Sequence, residues 1–211
     1  KIKQIVGRLN TQNLSEEEER ENVEAISELI EYYKGIFTIL SSCAARQLEE
    51  VTFRRSTISV ADLCEYAVKY FRKASKGKTS RIEFLTEPTE KRIIGDINQL
   101  RFLLENLIDE ALTVHEDGIL KLHAAEDGNY IRFLFTDTRR EKSVDELNKL
   151  FYPNLARMTS GEKGELRGTE YLICKQIIRD HDEFAGRRGC RINAEPAQEG
   201  GFTVYFTLPK R

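Results

Sequence analysis

The chain has 211 residues, which suits one large domain or two small ones. Hydrophobic residues make up 40% of it and charged residues 32%, a balance typical of a folded globular protein. Its 33 Lys and Arg residues nearly match its 35 Asp and Glu residues, which argues against a nucleic-acid binder held by phosphate contacts. No apolar run approaches the roughly 20 residues of a membrane span, and no secretory signal opens the chain.

The four cysteines are scattered and form no C-x-x-C pair. In a chain of this length, that pattern fits reduced thiols in the core of a cytoplasmic protein better than a disulfide frame or a zinc site. We therefore expect a cytoplasmic localisation. The chain begins at Lys1 rather than at a methionine, so we also expect it to be a piece of a longer protein.

Two helices are predicted before residue 52. The second begins at Ser15, where Glu18 completes a capping box, and its apolar residues follow alternating steps of three and four. An additional apolar row makes this stripe wider than a two-helix seam needs, and a four-helix bundle would bury it. We expect residues 1–51 to pair with a second copy in a homodimer; the alternative is packing against the domain that follows. The seam consists of Val23, Ile26, Ile30, Tyr33, Phe37, Leu40, Ala44 and Val51.

From residue 52 onward, a polar junction and hinge at 52–55 is followed by alternating strands and helices. Helices are predicted at 59–75, 96–112, 144–150 and 169–181, and a glycine-bearing loop at 154–168. Strands are predicted at 57–59, 81–86, 92–94, 118–125, 130–136, 190–194 and 202–208. This order predicts an α/β sandwich, in which one mixed sheet carries the longer helices on one face.

The helix at 96–112 organises the rest of the chain. Asp96 stands before it with Gln99 three residues on, which is typical of a helix start. Its apolar stripe predicts a buried face, formed by Leu100, Leu103, Leu104, Leu107, Ile108 and Ala111. Asn106 and Glu110 are four residues apart and therefore project from one side of the helix. Periodicity alone leaves open whether these two are ordinary solvated residues.

These elements occur in an order that resembles the ATP-binding domain of sensor histidine kinases, a fold shared with gyrase-type ATPases. Gly95-Asp96-x-x-x-Leu100 with Leu104-x-Asn106-Leu107 resembles the asparagine box of that family. Residues 150–153 resemble its phenylalanine box, and residues 171–178 and 201–209 its C-terminal signature. The resemblance implies a helical dimerisation hairpin at 1–53, with its first helix truncated, and an ATP-binding domain at 54–211.

The resemblance also implies a nucleotide site. In it, Asn106 and Glu110 would hold Mg²⁺, Asp137 would accept a hydrogen bond from the adenine amino group of ATP, and Gly168 would belong to the phosphate cradle. Glu110 stands where the family has a second asparagine, and it adds negative charge beside the triphosphate. Arg139 and Glu141 replace the two glycines of the family's D-x-G-x-G box, and Gly168 alone remains of its second glycine box.

Three hypotheses about function follow from this pattern. The first is a pseudokinase, a signalling module with a degraded ATP site that acts by dimerisation and conformation. The alternative is an active ATP-dependent histidine autokinase whose phosphoacceptor histidine lies outside this sequence; in it Arg157, Lys163 or Arg167 would offer charge to phosphate. The third is a hydrolase of the same superfamily, which would need a glutamate general base where Asn106 stands.

The histidines limit these hypotheses. His115, His123 and His181 all lie in the second domain and none in the helical hairpin, so this sequence lacks the acceptor that autophosphorylation in the family's manner requires. We expect all three to be structural or solvated, and we expect the dipole at the end of the last long helix to favour the charged form of His181. The implied partners are a second copy, a response regulator or a partner kinase, and the parent would be a larger, membrane-anchored sensor.

Overall fold

The computed structural model describes residues 53–87, 89–152 and 170–211, together with Arg20 and Val23. The predicted helical hairpin, apart from those two positions and Phe53, and the predicted loop at 154–168 lie outside the described residues. Among the described residues, no helix has the length and apolarity that crossing a bilayer requires.

Seven strands and four helices follow one another in the described part of the chain. The strands are β1 (Ser56–Ser59), β2 (Ile82–Thr86), β3 (Arg92–Gly95), β4 (Gly118–Asp127), β5 (Tyr130–Asp137), β6 (Ile192–Pro196) and β7 (Phe202–Pro209). The helices are α1 (Val60–Ala74), α2 (Ile97–Ala111), α3 (Val144–Lys149) and α4 (Glu170–Phe184). The predicted order of elements is confirmed, with shifts of one to three residues at most boundaries.

Five strands form the main sheet in the order β2-β4-β5-β7-β6. Strand β2 runs parallel to β4, and the other neighbours are antiparallel, so the predicted mixed sheet is confirmed. Strands β1 and β3 form a separate antiparallel pair, whereas the sequence predicts a single sheet. Its register places Ser56 opposite Gly95, at the entrance to α2.

The core lies on one face of the main sheet. Burial alternates along β4 and β5, as expected for strands that cover a core on one side only. The rings of Phe133 and Phe206 stack across β5 and β7 at 4.9 Å with an interplanar angle of 4°. The buried residues of the sheet include Leu120, Leu122, Ala124, Ile131, Phe133, Phe135, Val204, Phe206 and Leu208.

Helix α2 packs between its neighbours as its apolar stripe predicts. Every residue of the predicted stripe is buried. On one side the Tyr70 hydroxyl of α1 donates to Asp109 at 2.8 Å, and on the other the Cys174 thiol of α4 lies 3.7 Å from the Leu103 carbonyl. The capping by Asp96 is also confirmed, because its Oδ1 accepts the backbone N–H groups of Asn98 and Gln99 at 2.9 and 3.2 Å.

Helix α4 differs from its prediction in two respects. It continues to Phe184, three residues beyond the predicted end at 181. The expectation that His181 is charged is wrong: its ring is fully buried, and its Nε2 accepts the Asp96 N–H at 3.1 Å. A protonated ring could not accept that bond, and burial lowers the pKa of His181 below its usual value. Desolvation therefore outweighs the helix dipole here.

The turn between β6 and β7 places Gly201 directly against the end of β5. Its φ is +76°, and a Cβ added there would overlap the Asp137 carbonyl oxygen and lie 2.7 Å from the Thr138 Cα. Gly200 beside it also has a left-handed φ, +94°, yet a Cβ there would meet nothing within 4 Å. The two glycines therefore share backbone strain and differ in crowding.

We expect Gly201→Ala to lower the free energy of unfolding by at least about 2 kcal/mol more than Gly200→Ala does, because overpacking adds to the backbone strain that both variants carry. Urea unfolding of the two variants beside the unchanged chain measures the difference. Equal losses would mean that β5 can move away from the turn, and would contradict a fixed position for Asp137.

Candidate functional site

The predicted site residues lie where α2 ends beside the end of β5. Asn106 and Glu110 are on the last two turns of α2, and Asp137 is the final residue of β5. The Arg140 side chain joins two of them, since its guanidinium lies 3.6 Å from Glu110 Oε1 and 3.8 Å from Asp137 Oδ2. Gly168, the fourth predicted site residue, lies outside the described residues.

The Asp137 carboxylate accepts hydrogen bonds from Arg139, two residues further along the chain. Its Oδ1 accepts hydrogen bonds from the backbone N–H of Arg139 at 3.0 Å and from the Arg139 Nε at 2.8 Å. Its Oδ2 accepts a hydrogen bond from Arg139 Nη2, also at 2.8 Å. This is a bidentate pair between a guanidinium and a carboxylate, the strongest common form of side-chain ion pair. Both oxygens of the predicted adenine-recognising group therefore bind a side chain of the same protein.

The Arg139 guanidinium also completes the C-terminal end of α2. Its Nη2 donates to the Ala111 carbonyl at 2.7 Å, and its Nη1 lies 3.4 Å from the Val114 carbonyl. The last turn of α2 contains no basic residue, so Arg139 supplies the cation that the negative end of a helix dipole favours. Its side chain is 0% exposed, and that of Asp137 is 2% exposed, so the pair is withdrawn from solvent.

Gly118, the first residue of β4, makes room for this arginine. A Cβ at position 118 would clash with the Arg139 Cγ and lie 3.1 Å from its Cδ. The methylene stem of Arg139 therefore runs across the bare backbone of Gly118 before the guanidinium reaches Asp137.

Arg140 forms a second, looser pair with Glu110. The Glu110 side chain is 15% exposed and that of Arg140 is 21% exposed. Arg140 also lies near the Phe202 ring, 5.8 Å from its centroid. The two carboxylates of the site are thus matched by two guanidinium groups, and the local charge is balanced without a ligand.

Asn106 and Tyr171 complete the buried surroundings. Asn106 is 8% exposed, and its side-chain amide donates to the Phe102 carbonyl one turn earlier at 2.7 Å. Tyr171, on the first turn of α4, is 6% exposed and packs edge-on against Phe151 at 5.8 Å. Burial, with the nearby Glu110 carboxylate, raises the pKa of Tyr171 well above its usual value, so its hydroxyl stays protonated.

Sequence reasoning did not foresee the role of Arg139 and Arg140. It noted that Arg139 replaces a glycine, but it did not expect this side chain to fold back on Asp137. The signal was present, since arginines two and three residues after a buried carboxylate, with a glycine facing the first of them from β4, are suited to an internal ion pair.

Comparison with known proteins identifies the family. The family model of the histidine kinase-, DNA gyrase B- and HSP90-like ATPases matches residues 95–211, more than half of the chain. The chain belongs to this ATPase family. That assignment agrees with the resemblance found in the sequence boxes, and the matched segment contains Asn106, Glu110 and Asp137.

Among curated relatives, the chain is similar to the signal transduction histidine-protein kinase BaeS of Escherichia coli. The two are 25% identical over 163 residues, which is 75% of this chain and 33% of BaeS. It is also similar to the sensor histidine kinase RcsC of Escherichia coli, with 27% identity over 54% of this chain and 12% of RcsC. The chain thus spans a third or less of the length of these relatives.

Solved structures support the fold. A nucleotide-free catalytic domain of the histidine kinase ThkA superposes with a TM-score of 0.58 at 20% identity, covering 76% of this chain and 97% of that one. The histidine kinase AdeS of Acinetobacter baumannii gives a TM-score of 0.58 at 15% identity, covering 99% and 94%. ThkA in complex with the response regulator protein TrrA gives 0.60 at 17% identity, covering 100% and 57%.

The ATPase family implies ATP with Mg²⁺, and the described side chains do not fit this pair as they are placed. Asp137 is bound to Arg139, Glu110 is paired with Arg140, and the Asn106 amide donates within its own helix. Within the described ranges, no group of three or more His, Cys, Asp and Glu side chains is placed to hold a metal ion.

The two arginines should differ sharply in their effect on stability. We expect Arg139→Met to lower the free energy of unfolding by about 3–5 kcal/mol, because it leaves the Asp137 carboxylate buried without its partner. Arg140→Met, the matched control, should lower it by about 1 kcal/mol or less, since that pair is longer and partly exposed. Chemical denaturation of both variants provides the comparison. Similar small losses would show that Asp137 does not depend on Arg139.

Proposed function

We propose that this chain is the core of a sensor-histidine-kinase-like signalling protein whose ATP site is closed by its own Arg139. It would act as a pseudokinase, by dimerisation through residues 1–51 and by conformation, with the domains divided at about residue 53 as the sequence indicates. The ion pair between Arg139 and Asp137 is the observation that carries this proposal. The family match and the likeness to histidine kinases support the signalling context.

In this proposal, ATP and Arg139 compete for one carboxylate. In the resemblance, the adenine amino group donates a hydrogen bond to Asp137, the group to which Arg139 donates through Nε, Nη2 and its backbone N–H. ATP would have to displace a fully buried guanidinium, and breaking such a pair costs about 3–5 kcal/mol. That is roughly a 100- to 4,000-fold loss of affinity, which would weaken the Kd of a micromolar site to about 0.1–4 mM.

Glu110, at the predicted Mg²⁺ position, also argues against nucleotide binding. Glu110 could hold Mg²⁺ as a hard oxygen ligand, but it already faces the Arg140 guanidinium at 3.6 Å. Without the metal, its negative charge opposes a triphosphate. Among the described residues, Glu110 and its pairing with Arg140 therefore weigh against the binding of a triphosphate.

The partners follow from the family context. ThkA has been solved with a response regulator protein, and we propose a response regulator or a partner kinase for this chain as well. No histidine precedes residue 115, so a phosphoryl group would need an acceptor outside this sequence. We place the protein in the cytoplasm, as the cytoplasmic part of a larger sensor.

Thermal unfolding with Mg²⁺-ATP and with Mg²⁺-ADP tests the closed site. A ligand at a hundred times its Kd stabilises by about 2.7 kcal/mol, and each kcal/mol is worth about 2–4 °C in a chain of this size. At 0.1 mM nucleotide we expect a Tm shift of less than about 2 °C for the unchanged chain. The double variant Arg139→Gly/Glu141→Gly, which restores the D-x-G-x-G box after Asp137, should gain several degrees.

The control is Asp137→Asn in the double-variant background, which removes the charge and replaces one carboxylate oxygen by an NH2 donor, and it should abolish the gain. A shift of several degrees in the unchanged chain, lost on Asp137→Asn alone, would overturn the pseudokinase proposal and favour the active autokinase. If the double variant gains nothing either, Arg139 is not what keeps nucleotide out.

A further inference from the structure

The three residues before β1 contact the start of α2 and the C-terminal end of α4. We call these residues, Phe53, Arg54 and Arg55, the strap. The Phe53 ring packs edge-on against the His181 ring at 4.9 Å, and its centroid lies 5.9 Å from that of Phe184. The Arg54 backbone N–H donates to Asp96 Oδ2 at 2.7 Å. The Arg55 guanidinium lies so close to Gly186 that a Cβ there would come within 2.8 Å of its Cζ.

Asp96 and His181, to which the strap binds, are both buried. Asp96 is 3% exposed and His181 is 0% exposed. The backbone N–H of Asp96 donates to Nε2 of His181 at 3.1 Å, and Nδ1 of the same ring lies 2.8 Å from the Ile177 carbonyl. Because Nε2 accepts, the single proton of the ring is on Nδ1 and is donated to Ile177. The arrangement therefore requires a neutral imidazole.

We propose that the strap and His181 form a proton-sensitive lock, in which the strap is docked on the neutral ring and is released when the ring takes up a proton. The lock lies at the opposite end of α2 from Asp137, so it does not depend on whether the site binds nucleotide.

Protonation opposes docking for two reasons. A second ring proton on Nε2 would face the N–H of Asp96 and remove the only acceptor for that buried donor that the structure describes. The charge would also be enclosed beneath the Phe53 ring, away from water. Burial accordingly lowers the pKa of His181, with the Asp96 carboxylate acting in the opposite direction.

Other charged groups around the ring do not reverse this balance. From the strap, the exposed side chains of Arg54 and Arg55 bring positive charge, which disfavours a protonated ring. On α4 itself, Asp182 accepts the N–H groups of Gly189 and Cys190, and Asp180 accepts from Gln176 at 3.3 Å. Asp96 is the carboxylate that acts on His181 from the adjoining β3–α2 junction.

The sign of the pH dependence follows from linkage. With the strap docked, the pKa of His181 lies below the unperturbed value of about 6.5, and with the strap released it returns towards that value. The released state therefore binds more protons between the two values. Docking is fully favoured above pH ~6.5 and weakens as the pH falls through the docked pKa. The relation is reciprocal, so a force that pulls Phe53 away from α4 raises the proton affinity of His181.

A single tryptophan can report the state of the strap. The chain contains no Trp, so Phe53→Trp in the full 211-residue chain introduces one fluorophore at the contact with His181. We expect its emission maximum to be blue-shifted at about pH 8 and to move to the red with a midpoint below ~6.5, while far-UV circular dichroism stays unchanged. In the same background His181→Gln keeps an acceptor and cannot titrate, so the emission maximum should be independent of pH.

Direct titration of His181 by NMR gives an independent test that needs no reporter. Arg54→Pro removes the backbone donor to Asp96, whereas Arg54→Ala, the matched control, keeps it. We expect the pKa of His181 to rise towards ~6.5 in Arg54→Pro and to rise much less in Arg54→Ala, which removes only the exposed positive charge. Phe53→Ala, which keeps all backbone donors, should raise it as well.

Three results would overturn the lock. They are an emission maximum that does not move while His181 titrates, a red shift that appears only together with loss of circular dichroism, and an equal pKa of His181 in all the strap variants. The lock and the closed ATP site are read out at different residues, so the failure of one is distinguishable from the failure of the other.

Discussion

Helix α2 needs partners at both of its ends, and the rest of the domain is arranged to provide them. A helix leaves four N–H groups unpaired at its start and four carbonyls unpaired at its end, and here both ends are buried in the protein. Asp96 satisfies the start through Oδ1. Basic side chains from outside the helix bind carbonyls at its end. Lys78 donates to the Leu112 carbonyl at 2.9 Å, and Arg139 donates to the Ala111 carbonyl at 2.7 Å. The helix contributes none of these cations itself.

This requirement gives Arg139 a structural role beside the one that we propose for it at the ATP site. Arg139 binds the end of α2 and the Asp137 carboxylate with one guanidinium, and thereby joins a helix to the end of a strand. A glycine at that position would leave both the carboxylate and the helix carbonyls to be satisfied by water or by a ligand. In this chain the Arg139 guanidinium binds both oxygens of Asp137, the carboxylate that the resemblance assigns to adenine recognition.

The elements of the fold were predictable because they depend on local patterns. The stripe of α2, the alternation of β4 and β5 and the capping residues Ser59 and Asp96 are all visible in short windows of sequence. Details set by tertiary contact were not. Helix α4 buries Tyr171, Cys174, Ile177, Ile178 and His181, and it continues three residues beyond its predicted end at 181. The charge of His181 was misjudged because its burial beneath Phe53 and Gly95 depends on residues far away in the chain.

At the candidate site, the sequence identified the positions but not their partners. Asn106, Glu110 and Asp137 do lie at one end of α2 and β5, as the boxes indicate. What sequence could not supply is the direction of the Arg139 side chain, which depends on the bare backbone of Gly118 in another strand. A comparison with the family's glycine boxes registers residue 139 only as a lost glycine. In three dimensions the same substitution adds a buried cation, Arg139, which pairs with Asp137.

The two arginines therefore have to be considered together with the two carboxylates. Arg139 pairs with Asp137, and Arg140 lies between Glu110 and Asp137, so each charge is balanced by a neighbour. In such a network the effects of single substitutions do not add, because removing one member changes the environment of the other three. Glu110→Asn alone would remove one of the two carboxylates that balance the positive charge of Arg140, which lies beside Arg139. If Arg139 closes the site as proposed, positive charge at residue 139 has to be removed before any change at residue 110, and this order follows from the burial of the Asp137 pair.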